Sequence, residues 1–269
     1  MDTTDSLFLD HPAVQKVTPL STFKWLKQGY FAFKRAPAYV LFYGMVFFAV
    51  SYGINYCLSA PPVIVITLST ILFLVGPLLA IGLYDIAKQL EGPSHLSLWH
   101  SIVAWHVNIQ GFSLYIVLLI TLVFTWFCLS LLVFKLGYDI IGLASLEHIM
   151  EYALDQSNID FLCVYFGIGS LFAVVIFASS FVALPMLLDK KEIDITTVII
   201  TSMQAVLQNA VTMLLWVVIV VSLYAISFLT YYFGFIITLP LVGLATWYAY
   251  QDLVSYSSQG GTVEKIYAE

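Results

Sequence analysis

The side chains able to do acid–base or ligand chemistry gather in one short stretch. His95, His100 and His106 stand there with Asp85 and Glu91 just before them and Ser94 and Ser97 among them. Three histidines near carboxylates are the raw material of a metal site, and a serine beside a histidine and a carboxylate is that of a hydrolase. On a helix, however, His95 and His106 share a face while His100 lies about 140° away, so the three do not converge on one ion. Neither a His-x-x-x-His nor a His-Glu-x-x-His pair occurs, and no nucleophile-elbow glycines flank either serine. Beside Trp99 and Trp105 these histidines read as residues of an aromatic belt at a membrane surface. Asp85 is close enough to Lys88 for helical pairing. No catalytic residue, no metal and no cofactor is expected; haem in the bilayer is set aside because no histidine falls in the middle of an expected span.

Six apolar runs surround these groups. Of 269 residues, 61 % are hydrophobic and 10 % charged, and a spanning helix needs about 20 apolar residues in a row. Such runs cover Ala38 to Leu58, Pro62 to Leu83, Ile109 to Phe134, Phe161 to Leu184, Ala210 to Phe228 and Phe233 to Tyr250. The expected fold is all-α: a polytopic bundle of six transmembrane helices within residues 20–254, between disordered tails at 1–19 and 255–269. The first 37 residues are polar and carry Asp2, Asp5 and Asp10, so no cleavable signal peptide is expected.

Nine of the ten Lys and Arg residues then fall on one face: Lys16, Lys24, Lys27, Lys34, Arg35, Lys88, Lys190, Lys191 and Lys265, with Lys135 alone opposite. Basic residues resist translocation. That face is expected to be cytoplasmic, with both termini on it, in an inner membrane. The net charge of −6 argues against a nucleic-acid partner.

Before each odd-numbered span runs a stretch of mixed polarity that reads as an interfacial elbow helix. In the first, Leu20 to Ala36, Lys24, Lys27, Lys34 and Arg35 project within an arc of about 100°. With Trp25 they are expected to contact lipid headgroups, anionic ones above all, each basic residue contributing about 1 kcal/mol. The second elbow, Ser94 to Asn108, carries Ser97, Ser101 and Asn108 as a stripe. The third, Asp194 to Asn209, opens on a capping Asp194 and carries Thr197, Thr201, Gln204 and Gln208. Aligning Ala32, Ala104 and Ala205 sets Asn108 opposite Asn209, a weak three-fold parallel repeat of two-span units.

Each even-numbered span holds a proline before its cytoplasmic end, Pro77, Pro185 and Pro240, expected to bend the axis. Inside the spans, Thr121, Thr125, Ser179 and Ser180 are expected to bond the preceding turn, and Gly167, Gly169 and Ala173 to offer a smooth face to a neighbouring helix. On the outer side, Glu147, Glu151 and Asp155 at i, i+4 and i+8 suggest a short amphipathic helix over 140–156, with a solvated face or an acidic strip for a cation or partner. Cys57, Cys128 and Cys163 have no metal-like spacing and read as free thiols, a Cys57–Cys163 disulfide being the alternative.

The run from Ser202 to Asn209, the run from Leu239 to Tyr250, and Pro185 with Leu187-Leu188-Asp189-Lys190 resemble a bacterial integral membrane family, domain of unknown function 2189. The resemblance covers roughly residues 20–254 and implies a multi-span inner-membrane protein without an assigned reaction. It implies that Gly243, Thr246, Trp247 and Tyr250 pack the last helix against the third elbow. The family often has histidines where this chain has Leu244 and Tyr248, and arginine where it has Gln251, so no ligand role follows for that end. The expected function is a non-enzymatic, lipid-contacting membrane protein serving membrane homeostasis or accompanying another membrane protein. The alternative is a transporter or channel for a small neutral or amphipathic solute.

Overall fold

A computed structural model describes residues 12–56, 79–93, 95–137 and 159–256. Most of the second expected span, Pro77, Cys57 and the acidic helix over 140–156 lie outside the described residues.

Ten helices are described. In chain order they are α1 (Ser21–Arg35), α2 (Pro37–Tyr56), α3 (79–91), α4 (Leu98–Ile102), α5 (Ile109–Gly137), α6 (Ile159–Ser180), α7 (Ala183–Asp189), α8 (Ile195–Gln208), α9 (Ala210–Leu229) and α10 (Phe235–Leu253). A 3-10 turn, Ala104–Asn108, joins α4 to α5. The first elbow, α1, turns into α2 through a bend of 107°. Ala36 leaves helical geometry there, and Pro37, which has no N–H to give, starts the next helix. The third elbow, α8, is capped as expected, the Asp194 carboxylate accepting from the Thr196 and Thr197 N–H groups. Asn209 then breaks the helix before α9.

Among the described residues three helices are long and apolar enough to cross a membrane: Ala104–Ser130, Cys163–Asp189 and Ala210–Leu229, with the bent pair α1 and α2 as a fourth candidate. α5, 29 residues long, reaches about 43 Å at 1.5 Å per residue, more than a bilayer core of about 30 Å. Their apolar faces point outward as well as inward. On α5, Phe112, Tyr115 and Leu119 are buried while Leu114, Val117, Ile120 and Phe124 are exposed, an arrangement that suits hydrocarbon and not water. The last expected span forms α10 but is not among the spanning candidates. Its second half carries Trp247, Tyr248, Tyr250, Gln251 and Asp252, and most of that half is buried against other helices rather than turned to lipid.

α10 is the central post of the bundle. It packs most extensively against α1 and α2 and also meets α7 and α9. Close approach depends on two glycines: a Cβ on Gly29 of α1 would lie 2.9 Å from the Ala245 nitrogen, and one on Gly44 of α2 would lie 2.0 Å from the Ile236 carbonyl oxygen. The expected packing of Gly243, Thr246, Trp247 and Tyr250 on the third elbow is therefore corrected. Gly243 faces Leu83 of α3, Trp247 donates to Glu91 and Tyr250 donates to Asp189 at the end of α7.

The expected tails need correction too. Pro12–Val14 (β1) pairs antiparallel with Val254–Tyr256 (β2), Ala13 opposite Ser255. Beyond the strand, the Asn209 side chain accepts the Val17 N–H at 2.8 Å and donates to the Gln15 carbonyl at 3.0 Å. These backbone partners, 190 residues or more away in sequence, order residues that carry no apolar period of their own.

Pro240 sits buried inside α10, and Pro185 sits in α7, just beyond the break that ends α6 at Ser180. A proline has no N–H for the carbonyl four residues back and crowds it, so the interruption at Phe181 and Val182 follows from Pro185. Thr121, Thr125, Ser179 and Ser180 all donate to carbonyls of the preceding turn. A Cβ on Gly169 would meet Trp126 at 3.5 Å, but one on Gly167 would meet nothing within 4 Å, so the smooth face is only partly used.

Candidate functional site

Polar side chains concentrate where the elbows meet the spans. Asp85 of α3 is 2 % exposed. The His100 Nδ1 meets its Oδ2 at 2.8 Å, and the Gln89 side chain donates to the same oxygen. Gln89 also accepts the Ser97 N–H at 2.7 Å, which ties α3 to the approach to α4. Ser97 caps α4 by accepting the His100 backbone N–H at 3.2 Å. Beneath this cluster Tyr43 of α2 and Ser101 share a hydrogen bond of 2.9 Å.

The pairing of Asp85 with Lys88 is overturned. Lys88 binds Asp189 at 2.9 Å and lies near the carbonyls of Leu188 and Asp189. The negative end of α7 and its terminal carboxylate outbid a neighbour one turn away. Asp189 in turn accepts from Tyr250, whose hydroxyl also meets that of Tyr256. Glu91 goes to Gln251 at 2.7 Å and to Trp247 at 3.4 Å, so it is no partner of His100. What the site holds is a carboxylate–histidine pair whose nearest serine, Ser97, is engaged by backbone. Among the described residues no group of three His, Cys, Asp or Glu could hold a metal ion.

The first elbow divides its cations. Lys24 forms an ion pair with Asp252 at 2.8 Å, and Arg35 donates to the Leu90 carbonyl at 2.9 Å. Lys34 lies over the Tyr30 ring at 4.5 Å, and Lys27 is exposed. Trp25 is a correction: it is fully buried, donates to Asp252 at 2.8 Å and packs edge-on to Trp216, so it does not reach headgroups. The apolar face turned outward is made instead by Leu20, Phe23, Tyr30 and Phe31. The other elbows show the same habit, with Trp99, Ile102 and Trp105 exposed on the second and Ile200, Met203 and Leu207 on the third. The sequence had flagged Trp99 and Trp105; the outward residues of α8 lay hidden beside its polar stripe.

Between α6 and α9 lies a cavity of about 470 Å³, floored by α2, α3 and α10. Among the described residues no charged one lines it. This cavity was not foreseen, because it depends on how far two apolar helices stand apart.

Helices apolar on both faces, joined by surface elbows, define an integral membrane protein with an all-helical fold. Residues 64–189, just under half of the chain, match the family described as predicted integral membrane protein, DUF2189. That match takes in Pro185 and Leu187-Leu188-Asp189 but ends before the C-terminal runs on which the resemblance was also read. No curated protein and no solved structure matches the chain.

Proposed function

We propose that this is a non-enzymatic bacterial inner-membrane protein whose elbows lie in the cytoplasmic headgroup layer, where they grip anionic lipid and serve membrane homeostasis or a partner membrane complex. One observation carries the reading: α1 leaves α2 at 107° with Leu20, Phe23 and Phe31 exposed beside Lys27 and Lys34. A helix perpendicular to a spanning helix runs along the membrane surface, and an exposed mix of aromatic and basic groups suits the boundary between headgroups and acyl chains.

Six crossings and a common side for both termini complete the proposal. The β1–β2 pair holds residues 12 and 256 together, which requires an even number of crossings between them. Counted as crossings are α2, α5, α6 with α7, α9 and α10, of which α5, α6 with α7, and α9 are long and apolar enough on their own and α2 belongs to the bent pair. An even number asks for one more, and the apolar run from Pro62 to Leu83 has the length for it. The equivalent places of Ala36 and Asn209, each breaking the chain between elbow and span, favour the repeat of two-span units. The side is taken from the basic residues.

The test is extraction with surrounding bilayer into polymer nanodiscs, followed by lipid and protein mass spectrometry. Wild type is expected to enrich anionic phospholipid over the bulk membrane, and the Lys27→Gln, Lys34→Gln double variant to lose that enrichment. Equal enrichment in both would remove the headgroup claim, and a stoichiometric protein partner would shift the weight to the accessory role.

A further inference from the structure

We propose that the cavity between α6 and α9 is a binding site for a neutral lipophile: a hydrocarbon body with one carbonyl or hydroxyl oxygen, entering sideways from the bilayer. This deepens the lipid-contacting reading and rests on the chain spanning a membrane.

The opening lies on the lipid side. Val174 of α6 and Val221 of α9 line the cavity, and they are 61 % and 59 % exposed. Both helices are spanning candidates, so the medium at this mouth is acyl chain. At about 470 Å³ the cavity lies within the usual range of small-ligand pockets, roughly 300 to 1,000 Å³. Water does not fill an apolar cavity, and an empty one forfeits contacts along its whole lining.

The lining also selects. Phe177, Phe181 and Trp216 provide aromatic walls. The hydroxyls of Ser180 and Thr246 are already spent on carbonyls of their own helices. Tyr84 is different. It lines the cavity at 6 % exposure, and among the described residues its hydroxyl makes no hydrogen bond. A phenol held in an apolar site without an acceptor is costly, and an oxygen on the ligand satisfies it. The described lining residues carry no charge, which favours a neutral ligand.

The test uses a long-chain fatty alcohol carrying a diazirine and an alkyne, photolysed with the whole protein in nanodiscs of neutral phosphatidylcholine. Adducts are expected on the α6 and α9 peptides containing Phe177 and Trp216, competed away by unlabelled alcohol. Ala173→Trp, which fills the cavity, should suppress them about tenfold; Val221→Trp, at the exposed mouth, serves the same purpose where Ala173→Trp fails to fold. Tyr84→Phe should weaken competition about fivefold, the worth of one hydrogen bond, with unchanged thermal unfolding. Adducts confined to outward positions such as Leu171 and Val218, and indifferent to both tryptophans, would overturn the site. Full competition in Tyr84→Phe would overturn the oxygen-bearing ligand. Because probe and bilayer carry no net charge, this result is independent of whether Lys27 and Lys34 recruit anionic lipid.

Discussion

The hydroxyl of Ser202 is inserted into the broken turn that follows Ala178: it donates to the Ala178 carbonyl at 2.7 Å while accepting the Val182 N–H at 3.1 Å. In an unbroken helix those two backbone groups would bond each other. Pro185 leaves the Phe181 carbonyl without its N–H, and one turn earlier the third elbow reaches in to bridge Ala178 and Val182.

Ser202→Ala is therefore expected to destabilise the protein, since each backbone group left unpaired in a buried site costs about 1 to 3 kcal/mol. Ser202→Thr keeps the hydroxyl and should cost less. Thermal unfolding in detergent measures both, and equal melting of Ser202→Ala and wild type would mean that the bridge contributes nothing.

Trp25 and Lys27 sit two residues apart on α1 and should behave oppositely. Trp25→Phe removes a hydrogen bond to the Asp252 carboxylate, worth about 1.5 to 3 kcal/mol, and should lower the melting temperature. Lys27→Gln, at an exposed position, should change stability by less than about 0.5 kcal/mol. Its effect is expected instead in the lipid enrichment measured in nanodiscs.

Gly44→Ala places a methyl group 2.0 Å from the Ile236 carbonyl oxygen. Backbone cannot step aside as a side chain can, so α2 and α10 must separate, at a cost of at least about 1 to 3 kcal/mol. Gly53→Ala, with nothing within 4 Å of the new atom, is the control. Folded yield after detergent extraction should fall for the first and hold for the second.

Asp85 and His100 should be coupled. A double-mutant cycle of Asp85→Asn and His100→Ala is expected to give an interaction energy of about 0.5 to 3 kcal/mol, toward the lower part of that range because the His100 side chain is 58 % exposed. If His100→Ala instead left stability intact and abolished a cellular phenotype, a catalytic role for the pair would have to be taken up again.

Ala13→Cys with Ser255→Cys should form an intramolecular disulfide on mild oxidation, because the two residues are directly opposed in the β1–β2 pair and such Cα atoms are about 4.5 to 5.5 Å apart. Failure to cross-link in folded protein would break the argument for an even number of crossings.

Local signals survived the passage from sequence to structure. Asp194 announced the start of α8 and Pro185 the interruption after α6, since each acts on backbone within one turn. Non-local choices did not. Asp85 had a lysine one turn away and took a histidine from another helix, because Lys88 had a stronger offer in Asp189 and the carbonyl end of α7. Trp25 looked like an interface anchor, yet a helix with two apolar sides does not say which one lipid will cover. The outward side proved to be that of Phe23, Tyr30 and Phe31.

Joining the chain's two ends through β1 and β2 gives assembly a direction in time. Residues 12–14 leave the ribosome before α1 and α2, but their partner strand is made only after α10 is complete. Through nearly the whole of synthesis the first strand waits with its backbone unpaired. Closing that pair must follow the synthesis of α10, so it is among the last contacts that the described residues can make.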